Sequence, residues 1–219
     1  KYIPVASAPE KVKNEIVQTE ARVALHKKQT DQTHFILGYK AFNRYDDRYW
    51  AAHLMSVLLG SGMSSRLFQK MREELGICYY ISSGLGLGID SGSLNIRAGV
   101  GNGRVEEAVS GILKEISKLL HDGITAEELR KVKDLIIGRM YLGLESSDDH
   151  ADFYGFQELY NEPVLSAEEQ AKKIEAVTAE DIIAVAKDIF NVQFANLAYI
   201  GPHSEELTLK LKELISQPL

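Results

Sequence analysis

The sequence predicts an α+β fold, a mostly antiparallel sheet with helices packed on one face. Three observations lead there. Segments 33–42 and 91–100 alternate apolar with polar or small residues, the period of a strand buried on one side. Segment 104–121 repeats its apolar residues at helical spacing. The strands also come in groups followed by helices, not in the one-for-one alternation of a doubly wound parallel sheet.

Each element has its own justification. Residues 1–19 read as a lead-in or linker, because Pro4 and Pro9 block helix there; one domain is expected over 20–219. Ala21, Val23 and Leu25 share one side of a strand over 20–28. Phe35, Leu37, Tyr39 and Ala41 share a side of the next, and the polar link 29–32 suggests a hairpin. Asp46 or Asp47 can cap a helix that ends near Gly60 and carries Trp50, Leu54, Val57 and Leu58 inward. Ser64 or Ser65 can cap a shorter one, with Leu67, Met71 and Leu75 inward and Gly76 as its stop. Strands follow at 77–87 and 91–100. In the 104–121 helix, Val105, Ala108, Val109, Ile112, Ile116 and Leu119 form one stripe. Three capping boxes, Thr125 with Glu128, Ser166 with Glu169 and Thr178 with Asp181, open helices at 126–143, 167–174 and 179–189. A helix at 148–161, a strand at 194–200 and a helix at 204–216 complete the chain.

Composition narrows the function. A chain of 219 residues can bury roughly 70% of its unfolded surface, enough for one substantial core. Its formal net charge of −6 argues against nucleic acid, whose phosphates call for a basic face. No apolar run reaches the length of a membrane span. A single cysteine, Cys78, rules out an internal disulfide and fits a reducing, cytoplasmic setting; it reads as a buried small hydrophobe. The six histidines form no H-x-x-E-H, H-E-x-x-H or H-x-x-x-H, so no metal ligands are expected in this chain. Gly99-x-Gly101-x-Gly103 lacks the pattern of a dinucleotide or phosphate loop and reads as a tight turn. Gly84-x-Gly86-x-Gly88 suggests a bulge or a close backbone approach. Arg66 reads as a surface residue, and Glu73-Glu74, Glu106-Glu107 and Asp148-Asp149 as solvated faces.

The most informative stretch is Leu58–Gly84, LLGSGMSSRLFQKMREELGICYYISSG. It places Arg72 seven residues before Tyr79 across a helix-to-strand bend, where a cation and a phenol can converge. Strand alternation lets only one of Tyr79 and Tyr80 face a cleft. The spacing selects Tyr79, and a one-residue bulge would substitute Tyr80.

The pattern S-R-L-F-x-x-x-R-E-E-x-G-x-x-Y over residues 65–79 resembles the second, zinc-free half of the pitrilysin, insulin-degrading-enzyme and mitochondrial-processing-peptidase family. Asp31-Gln32-Thr33-His34, Leu144-Glu145-Ser146, Leu159-Tyr160 and Gly201-Pro202 extend the resemblance over about residues 20–203. The resemblance implies a two-half metalloendopeptidase. One half, fused upstream or made as a separate subunit, binds Zn2+ through an inverted H-x-x-E-H motif whose Glu serves as general base. This half supplies Arg72 and Tyr79 as site residues, binds a peptide or unfolded protein along a sheet edge, and cuts nothing alone. The family also contains non-catalytic scaffold subunits, which is the alternative reading.

Overall fold

The computed structural model describes residues 17–219. The first sixteen residues of the expected lead-in lie outside that range. Gln18 is already tied to the domain, its Nε2 donating to the carbonyls of Gln193 at 3.0 Å and Glu20 at 2.9 Å.

Five strands make one sheet: β1 (Arg22–Lys27), β2 (Gln32–Ala41), β3 (Cys78–Leu87), β4 (Gly92–Gly101) and β5 (Ala195–Gly201), in the spatial order β1-β5-β2-β4-β3. β2, β4 and β3 pair antiparallel, as the alternation predicts, with Phe35 opposite Ala98 and Leu37 opposite Ile96. The hairpin expected between β1 and β2 does not form. β5 lies between them, antiparallel to β2 and parallel to β1. Burial favours an interior place: Ala195, Leu197 and Tyr199 are all buried on the core face, and between β1 and β2 both edges of this strand are paired. A local alternation pattern cannot reveal such an insertion from the far end of the chain.

Seven α-helices follow the sequence closely: α1 (Tyr49–Gly60), α2 (Val105–Asp122), α3 (Ala126–Leu142), α4 (Ser147–Leu159), α5 (Ala167–Ala176), α6 (Ala179–Ile189) and α7 (Glu205–Ile215). All three expected capping boxes are made, and Ser146 with Asp149 adds a fourth at α4. At α1 the expected cap by Asp46 or Asp47 is not made: the N-cap is Arg48 and has no side-chain cap, and the Asp46 carboxylate accepts from the Arg48 N–H at 2.9 Å one step outside the helix. The predicted stripe of α2 is buried throughout. Together with Leu54, Leu59, Leu94, Ile96 and Leu197 it forms a core between the helices and one face of the sheet. Each such side chain contributes about 1.5–3 kcal/mol on full burial.

The short helix of the Leu58–Gly84 stretch differs from expectation. Phe68–Glu74 is a π-helical turn, with the Leu75 N–H bonded to the Lys70 carbonyl at 3.1 Å. The wider turn rotates Leu75 out of line with Leu67 and Met71, so those two are buried while Leu75 is exposed. Ser65 is no cap: its hydroxyl donates backward to the Gly62 carbonyl at 2.7 Å. Arg66 is also not a free surface group. It grips Glu128 in a two-pronged ion pair at 2.7 and 2.9 Å and donates to the Gly123 carbonyl, which holds the Glu128 carboxyl down at about 2. Of the second glycine series, Gly84 has no neighbour that a side chain would meet, whereas Gly88 shows the expected close backbone approach, a Cβ there lying 3.3 Å from the Ser91 carbonyl oxygen.

Close approaches occur elsewhere. A Cβ on Gly60 would lie 2.3 Å from the Ser83 backbone nitrogen, because the end of α1 rests directly on β3. Beside β2, Thr33 Oγ1 lies 2.5 Å from His203 Nε2 and 2.8 Å from Asn102 Oδ1, and Asn102 donates to the Thr30 carbonyl. This network joins three loops at one end of the sheet. Burial lowers the pKa of His203, and of His53 on α1.

Two outcomes follow. Gly60→Ala should force α1 off β3 and lower stability by about 1–3 kcal/mol in denaturant unfolding. The two buried imidazoles resist protonation when folded, whereas the unfolded chain takes up protons below about pH 6.5. The thermal midpoint should therefore fall as pH drops from neutral through that range. His203→Gln should flatten the dependence, and an unaltered pH profile in that variant would remove His203 from the explanation.

Candidate functional site

The site grows from the bend between the π-helical turn and β3. Gly76 takes a left-handed φ of +58°, which lets the chain reverse at the end of the turn. The Ile77 N–H then bonds the Met71 carbonyl at 2.8 Å. That single bond joins the residue before Arg72 to the residue two before Tyr79. Buried Met71, Ile77 and Cys78 anchor the bend to the core; Cys78 is as inert as expected, its thiol pushed up to about 11 by burial.

Arg72 stands on the exposed side of the turn. Its guanidinium lies 5.2 Å from the centre of the Phe68 ring, and among the described residues it makes no ion pair or hydrogen bond. Tyr79 is 57% exposed and its hydroxyl likewise has no partner among them. A charge and a phenol with no partner among the described residues, on either side of one bend, can both be given to a bound molecule.

Tyr79 and Tyr80 do not divide as strand alternation predicts. Cys78 pairs with Val100 and Tyr80 with Gly99, so Tyr79 is the extra residue of a β-bulge. The bulge resets the alternation and leaves both tyrosines exposed between buried Cys78 and Ile81. They have different surroundings. Tyr80 lies on the helix-free face of the sheet, where its hydroxyl is 3.1 Å from His34 Nδ1 and the two rings stack at 5.9 Å. Gly99 makes this possible, since a Cβ there would lie 2.5 Å from the Tyr80 ring. Gly99 is thus a strand residue under an aromatic ring and not part of a tight turn. His26, Ile200, His34, Gly99 and Tyr80 fall in one register row across all five strands. His26, Ile200, His34 and Tyr80 of this row, with Ile36 and Arg97 in the next, border a depression of about 460 Å³.

Sequence reasoning missed Arg104. Its Nη1 donates to the Gly76 carbonyl at 2.9 Å, and its Nε and Nη2 hold the Glu107 carboxylate at 2.8 and 3.0 Å. The fork ties the bend to the first turn of α2. No spacing rule connects residue 104 to residue 76; only the antiparallel return of β4 alongside β3 does.

Among the described residues no three or more His, Cys, Asp and Glu side chains are grouped to hold a metal ion. No described helix is long and apolar enough to cross a membrane.

Comparison with known proteins gives the family. A model described as the peptidase M16 inactive domain matches residues 3–136, and the chain belongs to the M16 peptidase family. It is 32% identical over 203 residues to an uncharacterized zinc protease of Mycobacterium leprae, covering 93% of this chain and 45% of that one. Among solved structures it is similar to a protease from Helicobacter pylori (TM-score 0.84, 23% identity, 91% of this chain and 48% of that one). It is also similar to a peptidase M16 inactive domain from Pseudomonas fluorescens (TM-score 0.80, 23% identity, 90% and 48%). The chain thus spans less than half the length of the curated relatives it matches.

If Arg104 holds the bend, Arg104→Ala should speed amide hydrogen exchange at residues 76–79 several-fold while leaving exchange in α2 and β4 unchanged. Equal exchange in the two proteins would show that the backbone holds the bend unaided.

Proposed function

We propose that this chain is the substrate-binding half of a two-half zinc metalloendopeptidase, contributing Arg72 and Tyr79 to an active site whose metal sits on the other half. The observation that carries the reading is the pair of exposed polar groups on the bend that have no partner among the described residues. Exposed arginines are usually ion-paired or merely solvated, and an exposed phenol is ordinary by itself. Here both stand on a bend fixed by Gly76, the Ile77–Met71 hydrogen bond and Arg104.

The chemistry divides between the halves. Zinc, bound by the other half, would polarise the scissile carbonyl and activate water. Tyr79 donates a hydrogen bond to the carbonyl oxygen as it gains negative charge, the moment at which a fixed donor is worth most. Arg72 holds a carbonyl or carboxylate of the bound peptide in its planar fork. The peptide backbone pairs with an exposed strand edge; β3, outermost in the sheet and carrying Tyr79 at its start, is suitably placed. Tyr80, already engaged with His34, lines the neighbouring sheet face and leaves the hydroxyl of Tyr79 as the free donor.

The test is reconstitution with the zinc-bearing half and a quenched peptide substrate. The chain alone should show no cleavage. In the complex, Tyr79→Phe should lower kcat by about tenfold to a hundredfold with little change in KM, and Arg72→Ala should mainly raise KM. Tyr80→Phe should have the smaller effect. Unchanged kcat for Tyr79→Phe would favour a non-catalytic scaffold.

A further inference from the structure

α4 and the end of α3 form a surface that the fold leaves uncovered. Of the thirteen residues of α4 only Gln157 is buried, and the helix makes no more than glancing contact with any other helix or strand. Phe156 and Leu159, three residues apart and so on one side of the helix, are 55% and 74% exposed. At the end of α3, Leu142 is 72% exposed and Tyr141 is exposed beside it. An isolated apolar residue on a surface is ordinary, but a whole helix without a buried face is not.

The helix is nevertheless held in place. Arg44 stacks on the Tyr160 ring at 3.4 Å and pairs with Glu162 at 2.7 Å, and the Tyr45 hydroxyl donates to the Tyr160 carbonyl. Gln157 bonds the Leu165 backbone in both directions. Its side chains are therefore displayed on a fixed frame.

Charge marks the same segment. Residues 145–162 carry six of the chain's 31 acidic residues and no Lys or Arg. Elsewhere the remaining acids are balanced by the 25 Lys and Arg, so the whole formal charge of −6 comes from this stretch. A second copy of the chain would bring two such acidic segments together here, which disfavours self-association. The surface also adjoins the site. Arg139, near the end of α3, donates to Ser61 Oγ at 3.0 Å, and Ser61 begins the loop that leads into the π-helical turn bearing Arg72.

We infer that the α3–α4 corner is the seat of the zinc-bearing half, which meets it with apolar side chains ringed by Lys and Arg. This rests on the reading of the chain as one half of a two-half peptidase. The curated relatives contain as much polypeptide again beyond the part matched here. A body seated on this corner would lie against the loop of the Arg72 site, as a shared cleft requires.

The experiment measures binding of the chain to the separately purified zinc-bearing half by calorimetry. The variants are Phe156→Glu with Leu159→Glu, and as control Leu209→Glu, an equally exposed apolar position on α7. Circular dichroism and thermal melts establish that each is folded. The double variant should weaken binding about tenfold or more and the control should not. Raising salt from about 50 mM to about 500 mM should also weaken the wild-type complex. Wild-type affinity in the folded double variant would overturn this inference while leaving the proposed function standing. No binding of the zinc half by the wild-type chain would overturn both. If the double variant lost affinity for a basic peptide substrate but not for the zinc half, the corner would be a peptide site and the inference wrong.

Discussion

The structure depends on burying one face of a single sheet. Phe35, Leu37, Tyr39, Leu94, Ile96, Ala98, Leu197 and Tyr199 all point to that side, and α1, α2 and α6 close over them. Apolar area removed from water is the main favourable term in folding, and here it is gained on one face alone. The opposite face therefore has no packing role among the described residues. Its composition, with His26, His34, Arg97, Asn95 and Tyr80 beside Ile36 and Ile200, is free to answer to something other than stability.

The bend at Gly76 shows how a stable layer positions an exposed site. Met71, Ile77 and Cys78 are locked in the core, so the residues between and after them can only project outward. The π-helical turn and the bulge at Tyr79 each insert an irregularity next to these anchors. Both devices re-aim side chains without changing the course of the elements, and both recur at functional positions in proteins generally. Arg104 then fastens the bend from α2, so the Arg72 and Tyr79 positions are held from the helical layer and the sheet together.

Much of this was legible in the sequence because it is local. The capping boxes at Thr125, Ser166 and Thr178 satisfy neighbouring backbone groups, so three or four residues contain the whole signal. The stripe of α2 and the alternation of β2 and β4 are equally self-contained. Apart from the π-helical turn and the bulge at Tyr79, the main failures are non-local. Insertion of β5 between β1 and β2, the Arg66–Glu128 pair and the Arg104 clamp each join residues far apart in the chain. Arg72 and Tyr79 could be put forward as a candidate pair from the sequence, since a seven-residue spacing survives in one dimension. The bulge was foreseen as a possibility, but that it would expose both tyrosines needed the register of β4 to become visible.

The placement of β5 bears on how the molecule is made. β2, β3 and β4 can find one another as soon as residue 101 has been synthesised, because their partners are near in sequence. β1 cannot, for its only neighbour ends at Gly201, more than 170 residues later. A nascent chain must hold β1 and one edge of β2 unpaired until β5 has been made, and unpaired edges are where newly made proteins adhere to one another. Completion of the sheet then requires loop closure over almost the full length of the described domain.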